Sequence, residues 1–220
     1  MPLNGPMEDV LKQSGDDVLL GDVRALARSV GGEPLRAGCP ATSGGLGSLP
    51  TSPEDWAAWA GRYVREVVVA EEWPAVLQAW SHASTGRVKE LLELDRAWGE
   101  RVGNRPLAEA SFRAGQRQLN RLRPLRDARV VQRYLDAVAQ GRAHGWHPMV
   151  YGVMLAVFGL PLRQGLMHYA DQVLGGLVEG RPCFSGEAEV ACRKVVEDVG
   201  AMLVPALGRL MPPMVPLVVG

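Results

Sequence analysis

From Thr51 onward, the apolar residues of this chain recur at spacings of three and four, the period of an α-helix with one buried face. No run of alternating apolar and polar residues bounded by hairpin turns accompanies them, so β-strands are not expected. The pattern therefore predicts an all-α fold, arranged as a single helical bundle-like domain. The first apolar stripe consists of Trp56, Trp59, Tyr63 and Val67.

Capping residues, prolines and glycines divide this pattern into separate helices. Ser52 can cap a helix whose first residue is Pro53, and two acidic residues follow at the positive end of the helix dipole. The helix that Pro148 starts is almost wholly apolar, which predicts the buried centre of the bundle. The last helix is expected to stop or kink at Pro205. Helices are predicted to start near Thr51, Glu71, Thr85, Asn104 or Arg105, Asp127, Pro148, Pro161 and Glu187.

The two ends of the chain differ from its middle. Residues 1–50 are rich in Gly, Pro and Ser, which predicts a poorly ordered N-terminal segment with one short helix across Asp17 to Ser29. An all-helical domain is predicted for residues 51–208. Residues 209–220 form an apolar tail, which we expect to pack either into its own core or into a partner.

Charge and cysteine content restrict the functional class. Lys and Arg total 24 and Asp and Glu total 24, so no overall field attracts the chain to nucleic acid or to an anionic membrane. The longest apolar run, Pro148 to Leu162, is shorter than the roughly 20 residues of a membrane-spanning helix. No signal peptide opens the sequence, and the odd number of cysteines favours a reducing compartment. We therefore predict a cytoplasmic protein.

The sequence contains few of the patterns that mark an active site. It has neither a Gly-x-Ser-x-Gly elbow nor a glycine pattern for binding nucleotides. His144 and His147 lie close together on a predicted loop, but two imidazoles alone do not complete a metal site. The chain is therefore predicted not to be an enzyme and to bind no cofactor stably. Whether a metal contacts either histidine or a cysteine is left open; the cysteines are Cys39, Cys183 and Cys192.

A row of positive charge is the strongest remaining feature. Arg113, Arg117 and Arg121 are four residues apart, so a helix places them along one stripe. Nine arginines and only two acidic residues fall between positions 101 and 133. Ser111 and Gly115 on the same helix form a pair of small residues that would allow another helix to approach closely.

Three interpretations of this row are open. It is a solvated face covered by acidic neighbours, a docking surface for a partner protein, or a nucleic-acid contact. One basic helix without interleaved aromatic residues is weak support for the last. The acidic neighbours considered are Glu90, Glu93 and Asp95.

Seven short motifs follow one another between Thr51 and Val178, and their order is informative. They are Thr-Ser-Pro-Glu-Asp-Trp at 51–56, Glu-Glu-Trp-Pro-Ala-Val at 71–76, Glu-Leu-Leu-Glu-Leu-Asp-Arg-Ala-Trp at 90–98, Ala-Ser-Phe-Arg-Ala-Gly at 110–115, His-Pro-Met-Val-Tyr-Gly at 147–152, Phe-Gly-Leu-Pro at 158–161 and Tyr-Ala-Asp-Gln-Val-Leu at 169–174. Taken together, they resemble the motifs of the UreF family of urease accessory proteins.

This resemblance implies an all-α, non-catalytic scaffold that helps to assemble the nickel centre of urease. It implies as partners a UreD- or UreH-type accessory protein, a UreG-type GTPase and apo-urease, with nickel only in transit through the complex. A homodimer is left open, and no membrane is involved. The alternative function is a helical nucleic-acid-binding regulator, and a small metalloenzyme using His144 and His147 is a third. The residues predicted to contact partners are Ser111, Arg113, Gly115, Gln116, Arg117, Arg121, His147, Pro148 and Tyr169.

Two motifs of the family are poorly matched. Near the N-terminus only Ala41 to Leu46 resembles the family's glycine-containing motif, and Gly47 stands where that motif has Glu. In the last helix, residues 191–196 occupy the place of the family's basic and apolar run. The resemblance therefore implies less about functions tied to those two motifs, regulation of the GTPase among them.

Overall fold

The computed structural model describes residues 50, 52–103, 107–179 and 186–211 of the chain. These residues form helices joined by short turns, with no strand among them, which confirms the predicted all-α fold. Several predictions fall outside the described residues: residues 1–49 of the N-terminal segment with the short helix, the helix start at Asn104 or Arg105, the break at 180–182, and residues 212–220 of the apolar tail predicted for 209–220.

The first helix starts where the sequence predicts, and a side-chain hydrogen bond caps its first turn. Helix α1 spans Pro53–Tyr63, and the side chain of Ser52 accepts a hydrogen bond of 3.2 Å from the backbone N–H of Asp55. Pro53 occupies the first turn, where its missing N–H costs nothing.

A separate second helix was expected to start at Glu71, but the chain does not break there. A π-helical segment, Val64–Glu72, continues α1 directly into helix α2, Trp73–Ser84. Glu72 keeps helical backbone angles, φ −72° and ψ −45°, and no side chain caps α2. Continuation keeps Val68 and Trp73 on the buried side, and neither is exposed. Burial of these side chains therefore holds one long helix together across the irregular stretch.

Three further helices follow in the middle of the chain: α3, Val88–Val102; α4, Ala108–Leu122; and α5, Arg129–Ala139. Gly141 follows the cap residue of α5, Gln140, and its φ of +69° is one that only glycine adopts without strain. The N–H of Arg142 then donates to the carbonyl of Ala137 at 2.8 Å, which closes the turn. This turn leads the chain into the loop that precedes the next helix.

Helix α6, His147–Val157, lies at the centre of the molecule, as its apolar sequence predicts. Every residue from 147 to 155 is buried, and α6 packs chiefly against α2 and α4. Gly152 permits the close approach to α2, because a Cβ atom there would lie 2.5 Å from the carbonyl oxygen of Val76. Tight contact on several sides makes α6 the element around which the other helices are arranged.

The two last helices are α7, Leu162–Glu179, and α8, Glu187–Leu210, which packs against α7 and α1. Helix α8 does not stop at Pro205 but continues to Leu210. The lost hydrogen bond and the ring clash of an internal proline cost about 3 kcal/mol. Burial of three apolar side chains around it offsets that cost, and the guanidinium of Arg163 donates to the carbonyl of Met211 at 2.8 Å. The buried side chains are Leu203, Ala206 and Leu207.

Candidate docking surface and the loop behind it

A buried carboxylate holds the loop between α5 and α6. Asp95, on α3, has no exposed surface, and its oxygens accept the backbone N–H groups of three consecutive residues, His144, Gly145 and Trp146. The Gly145 and Trp146 nitrogens lie 3.1 and 3.0 Å from Oδ1. The hydroxyl of Tyr134, on α5, donates to the same oxygen at 2.8 Å. We call residues 143–146 the corner loop.

These bonds explain how a negative charge can be buried here. A carboxylate without partners in an apolar interior is costly, whereas one that accepts several N–H and O–H bonds is stable. Burial raises the pKa of Tyr134 well above its ordinary value, and the charge of Asp95 raises it further, so this hydroxyl keeps its proton and remains a donor. Asp95 thus joins α3, α5 and the corner loop.

Helix α4 packs directly on the other side of the corner loop. A Cβ atom at Gly115 would lie 2.6 Å from the backbone nitrogen of His147 and 2.7 Å from the carbonyl carbon of Trp146, so a side chain does not fit. The side-chain amide of Gln116 donates to the carbonyl of His144. The close approach predicted for the Ser111 and Gly115 pair therefore occurs at Gly115, and the neighbour there is the corner loop of the same chain.

The arginine row lies on the outer side of α4. Arg113, Arg117 and Arg121 are all exposed, and we call them the cationic row. Arg113 forms an ion pair of 3.0 Å with Glu109, one turn earlier on the same exposed face. Such a surface pair is worth less than about 1 kcal/mol, so it can be exchanged for a partner's carboxylate at little cost.

Asp95 does not cover this row, although the sequence suggested it as an acidic neighbour. Its carboxylate is enclosed by the corner loop and Tyr134. Glu93 lies 3.8 Å from Lys89 on the exposed side of α3.

The nine predicted contact residues divide between surface and interior. The cationic row is exposed, and Ser111 and Gln116 beside it are half-buried. The other four residues are buried within the chain and present almost no surface to a partner; they are Gly115, His147, Pro148 and Tyr169.

His147 is a core residue in this structure. Its ring is 2% exposed, stacks on Tyr169 with 4.9 Å between centroids, and meets Tyr151 edge-on at 5.9 Å. Burial, together with the positive charge of Arg117, lowers the pKa of His147 to about 3. The imidazole is therefore neutral at physiological pH.

Both histidines were predicted on a loop, but only His144 lies there, exposed, whereas His147 is the enclosed first residue of α6. In the part of the chain that the structure describes, no three His, Cys, Asp or Glu residues are placed to hold a metal ion together. Cys39, Cys183 and the side chain of Cys192 lie outside that part.

The sequence analysis does not assign a structural role to Asp95, although the sequence contains a signal for one. Asp95 falls on the apolar stripe of α3 between Leu91 and Trp98, both of which are buried. An acidic residue within a buried stripe must have partners inside the fold. Its partners lie 39 to 51 residues away along the chain, and helical periodicity does not identify them.

Among the described helices, none is long and apolar enough to cross a membrane. A search of curated proteins gives no match to this chain. The family model for UreF matches residues 51–179, more than half of the chain, and this range contains α1 to α7 with the cationic row and the corner loop. The resemblance of the motifs and the helical architecture agree with this match, and the chain belongs to the UreF family of urease accessory proteins.

Proposed function

We propose that this chain is a non-catalytic scaffold in the nickel-dependent maturation of urease. It assembles with a UreD- or UreH-type accessory protein, a UreG-type GTPase and apo-urease in the cytoplasm. It binds no cofactor stably, and nickel is cargo that passes through the assembled complex. The observation that supports this most directly is the match of the UreF family model across α1 to α7.

Partner docking takes place on the cationic row. Arg113, Arg117 and Arg121 are exposed side by side, with Ser111 and Gln116 at their edge. Carboxylates of a partner complement such a row, and this complementarity sets the orientation and rate of encounter more than the final affinity. The buried residues of the prediction, such as Gly115 and His147, contribute by fixing the position of α4 rather than by touching a partner.

Charge reversal in a co-expression experiment tests this function. The chain is produced with the urease accessory proteins and apo-urease, and the proteins that co-purify with it are quantified. Arg117→Glu is expected to lower their recovery by about tenfold, because a like charge then faces the partner's carboxylates. The matched control is Arg133→Glu, since Arg133 is also exposed but lies on α5, outside the row.

Two results would count against the proposal. Recovery unchanged by Arg117→Glu would remove the docking role of the row, provided that thermal unfolding shows both variants folded. Failure of the unaltered chain to recover any urease protein would remove the scaffold function itself. The nucleic-acid alternative receives no support from the geometry of the described residues or from the family match.

A further inference from the structure

An exposed aromatic side chain lies beside the cationic row. Phe112 is 37% exposed, and the other large apolar side chains exposed among the described residues all lie on α8. Its ring meets that of Trp146 edge-on, with 5.6 Å between centroids and 66° between the planes. Phe112 precedes Arg113 on α4 and lies one turn before Gln116. The apolar surface and the positive charge are therefore adjacent.

The corner loop extends this apolar surface. The exposed ring of His144 lies 6.0 Å from the Trp146 ring. Gly99, on α3, places no side chain over them: a Cβ atom there would lie 2.9 Å from the indole nitrogen and 3.1 Å from Cδ2 of His144. The indole N–H is buried and has no hydrogen-bond partner among the described residues. Phe112 and His144 are exposed and both contact the ring of Trp146, which is itself buried, at 7% exposure. We call these three side chains the aromatic platform; Phe112 and His144 form its exposed surface, and Trp146 supports them from the core.

The backbone that carries His144 and Trp146 is held in place before any partner arrives. Asp95 binds the backbone N–H groups of both His144 and Trp146, and Gln116 binds the carbonyl of His144. Aromatic groups that are fixed in advance lose little conformational entropy on binding, and such groups commonly supply most of the energy of a protein interface. Positive charge alone, in contrast, mainly guides the approach of a partner.

We propose that the aromatic platform binds a large apolar side chain of an acidic segment in the urease accessory partner, while carboxylates of that segment lie over the cationic row. This inference rests on the proposed function and names the chemistry of the docking segment. A second copy of this chain fits poorly, because two-fold pairing through this surface would place arginines against arginines. In an acidic segment with an aromatic or long aliphatic residue, that residue packs on the aromatic platform and the carboxylates pair with the cationic row.

Affinity measurements with the accessory partner from co-expression test the platform. Phe112→Ala is expected to weaken binding by about tenfold or more, and Phe112→Leu should retain most of the affinity because it keeps an apolar side chain. Met202→Ala is the matched control, since Met202 is similarly exposed, at 43%, on α8. It should bind as the unaltered chain does.

The salt dependence of binding distinguishes the contribution of the aromatic platform from that of the cationic row. Between about 0.05 and 0.5 M salt, the weakening caused by Arg117→Glu should shrink, whereas that caused by Phe112→Ala should persist, because salt screens charges but not apolar contact. His144→Ala gives a second test that leaves the loop anchored, since Asp95 contacts only the backbone of His144. It should weaken binding severalfold.

The results of these binding experiments distinguish a failure of the platform proposal from a failure of the proposed scaffold function. Binding unchanged in both Phe112→Ala and His144→Ala, with binding lost in Arg117→Glu, would overturn the platform and leave the scaffold function standing. A loss in Phe112→Ala that disappears at high salt would also overturn it. If the unaltered chain binds no accessory protein, both the platform and the proposed function are wrong.

Discussion

Asp95 shows how backbone N–H groups and one hydroxyl can stabilise a buried negative charge. Its carboxylate is enclosed by peptide N–H groups and one hydroxyl, and among the residues that the structure describes no Lys or Arg side chain bonds to it. Three consecutive N–H groups directed at one carboxylate resemble the backbone concavities that bind anions in other proteins. Because these donors belong to the backbone, removal of the carboxylate would leave several of them buried without acceptors.

Asp95→Asn is therefore expected to destabilise the protein by about 2–4 kcal/mol, since the amide replaces an acceptor oxygen with a donor and removes the charge from every bond. The free energy of unfolding, measured with urea, tests this value. Asp136→Asn is the control, because Asp136 is exposed on α5 and should change stability by less than about 0.5 kcal/mol. Equal stability of the two variants would show that the bonds to Asp95 do not hold the corner loop in place.

At the level of the helices, sequence signals that act over a few residues predict the structure correctly. The Ser52 and Pro53 signal begins α1, and the apolar run after Pro148 forms the central helix. Features that depend on packing between distant segments are not predicted by such signals. Continuation of α1 into α2, and of α8 beyond Pro205, where the sequence predicted either a stop or a kink, depends on side chains buried against other helices, and local propensity does not report that burial.

The candidate site likewise combines features that local spacing predicts with features that depend on distant contacts. The cationic row could be predicted because four-residue spacing places its members on one side of a helix. Burial of His147 and Tyr169 could not, because their stacking joins α6 to α7 across 22 positions of sequence. The bonds between Asp95 and the corner loop connect residues still farther apart.

Contact between α4 and the corner loop depends on the absence of a side chain at Gly115. Gly115→Ala is expected to lower the free energy of unfolding by about 2 kcal/mol, because the clash with backbone atoms outweighs a gain in helix propensity of about 1 kcal/mol. Gly175→Ala in α7 is the matched control: nothing lies within 4 Å of a Cβ there, so that variant should gain about 0.5–1 kcal/mol. Urea unfolding of the pair tests the sign, and a gain in both variants would contradict the packing described.

The whole molecule should lose stability in acid, because its centre contains a histidine that resists protonation. The pKa of His147 is about 3 in the folded chain and about 6.5 when exposed, so below pH 6.5 only the unfolded state takes up this proton. The contribution of His147 therefore favours unfolding by about 1.4 kcal/mol for each pH unit between 6.5 and about 3, and no further below that.

Urea unfolding at pH values from 7.5 to about 4 measures this effect. His147→Phe should unfold with a shallower dependence on pH than the unaltered chain, whatever its stability at neutral pH. Tyr151→Phe alters the same aromatic cluster but should keep the original pH dependence, because burial raises the pKa of Tyr151 further from the acid range. Parallel curves for the unaltered chain and His147→Phe would show that another group causes the acid sensitivity.

The way in which Asp95 holds the corner loop has a consequence for how recognition can change over time. Asp95 accepts amide hydrogens that every residue except proline possesses, so the identity of the exposed residue at position 144 can vary while the loop keeps its shape. The chain can thereby adjust the chemistry that it offers to another protein one substitution at a time. The shape of the corner loop and the specificity of its surface for a partner can therefore change independently.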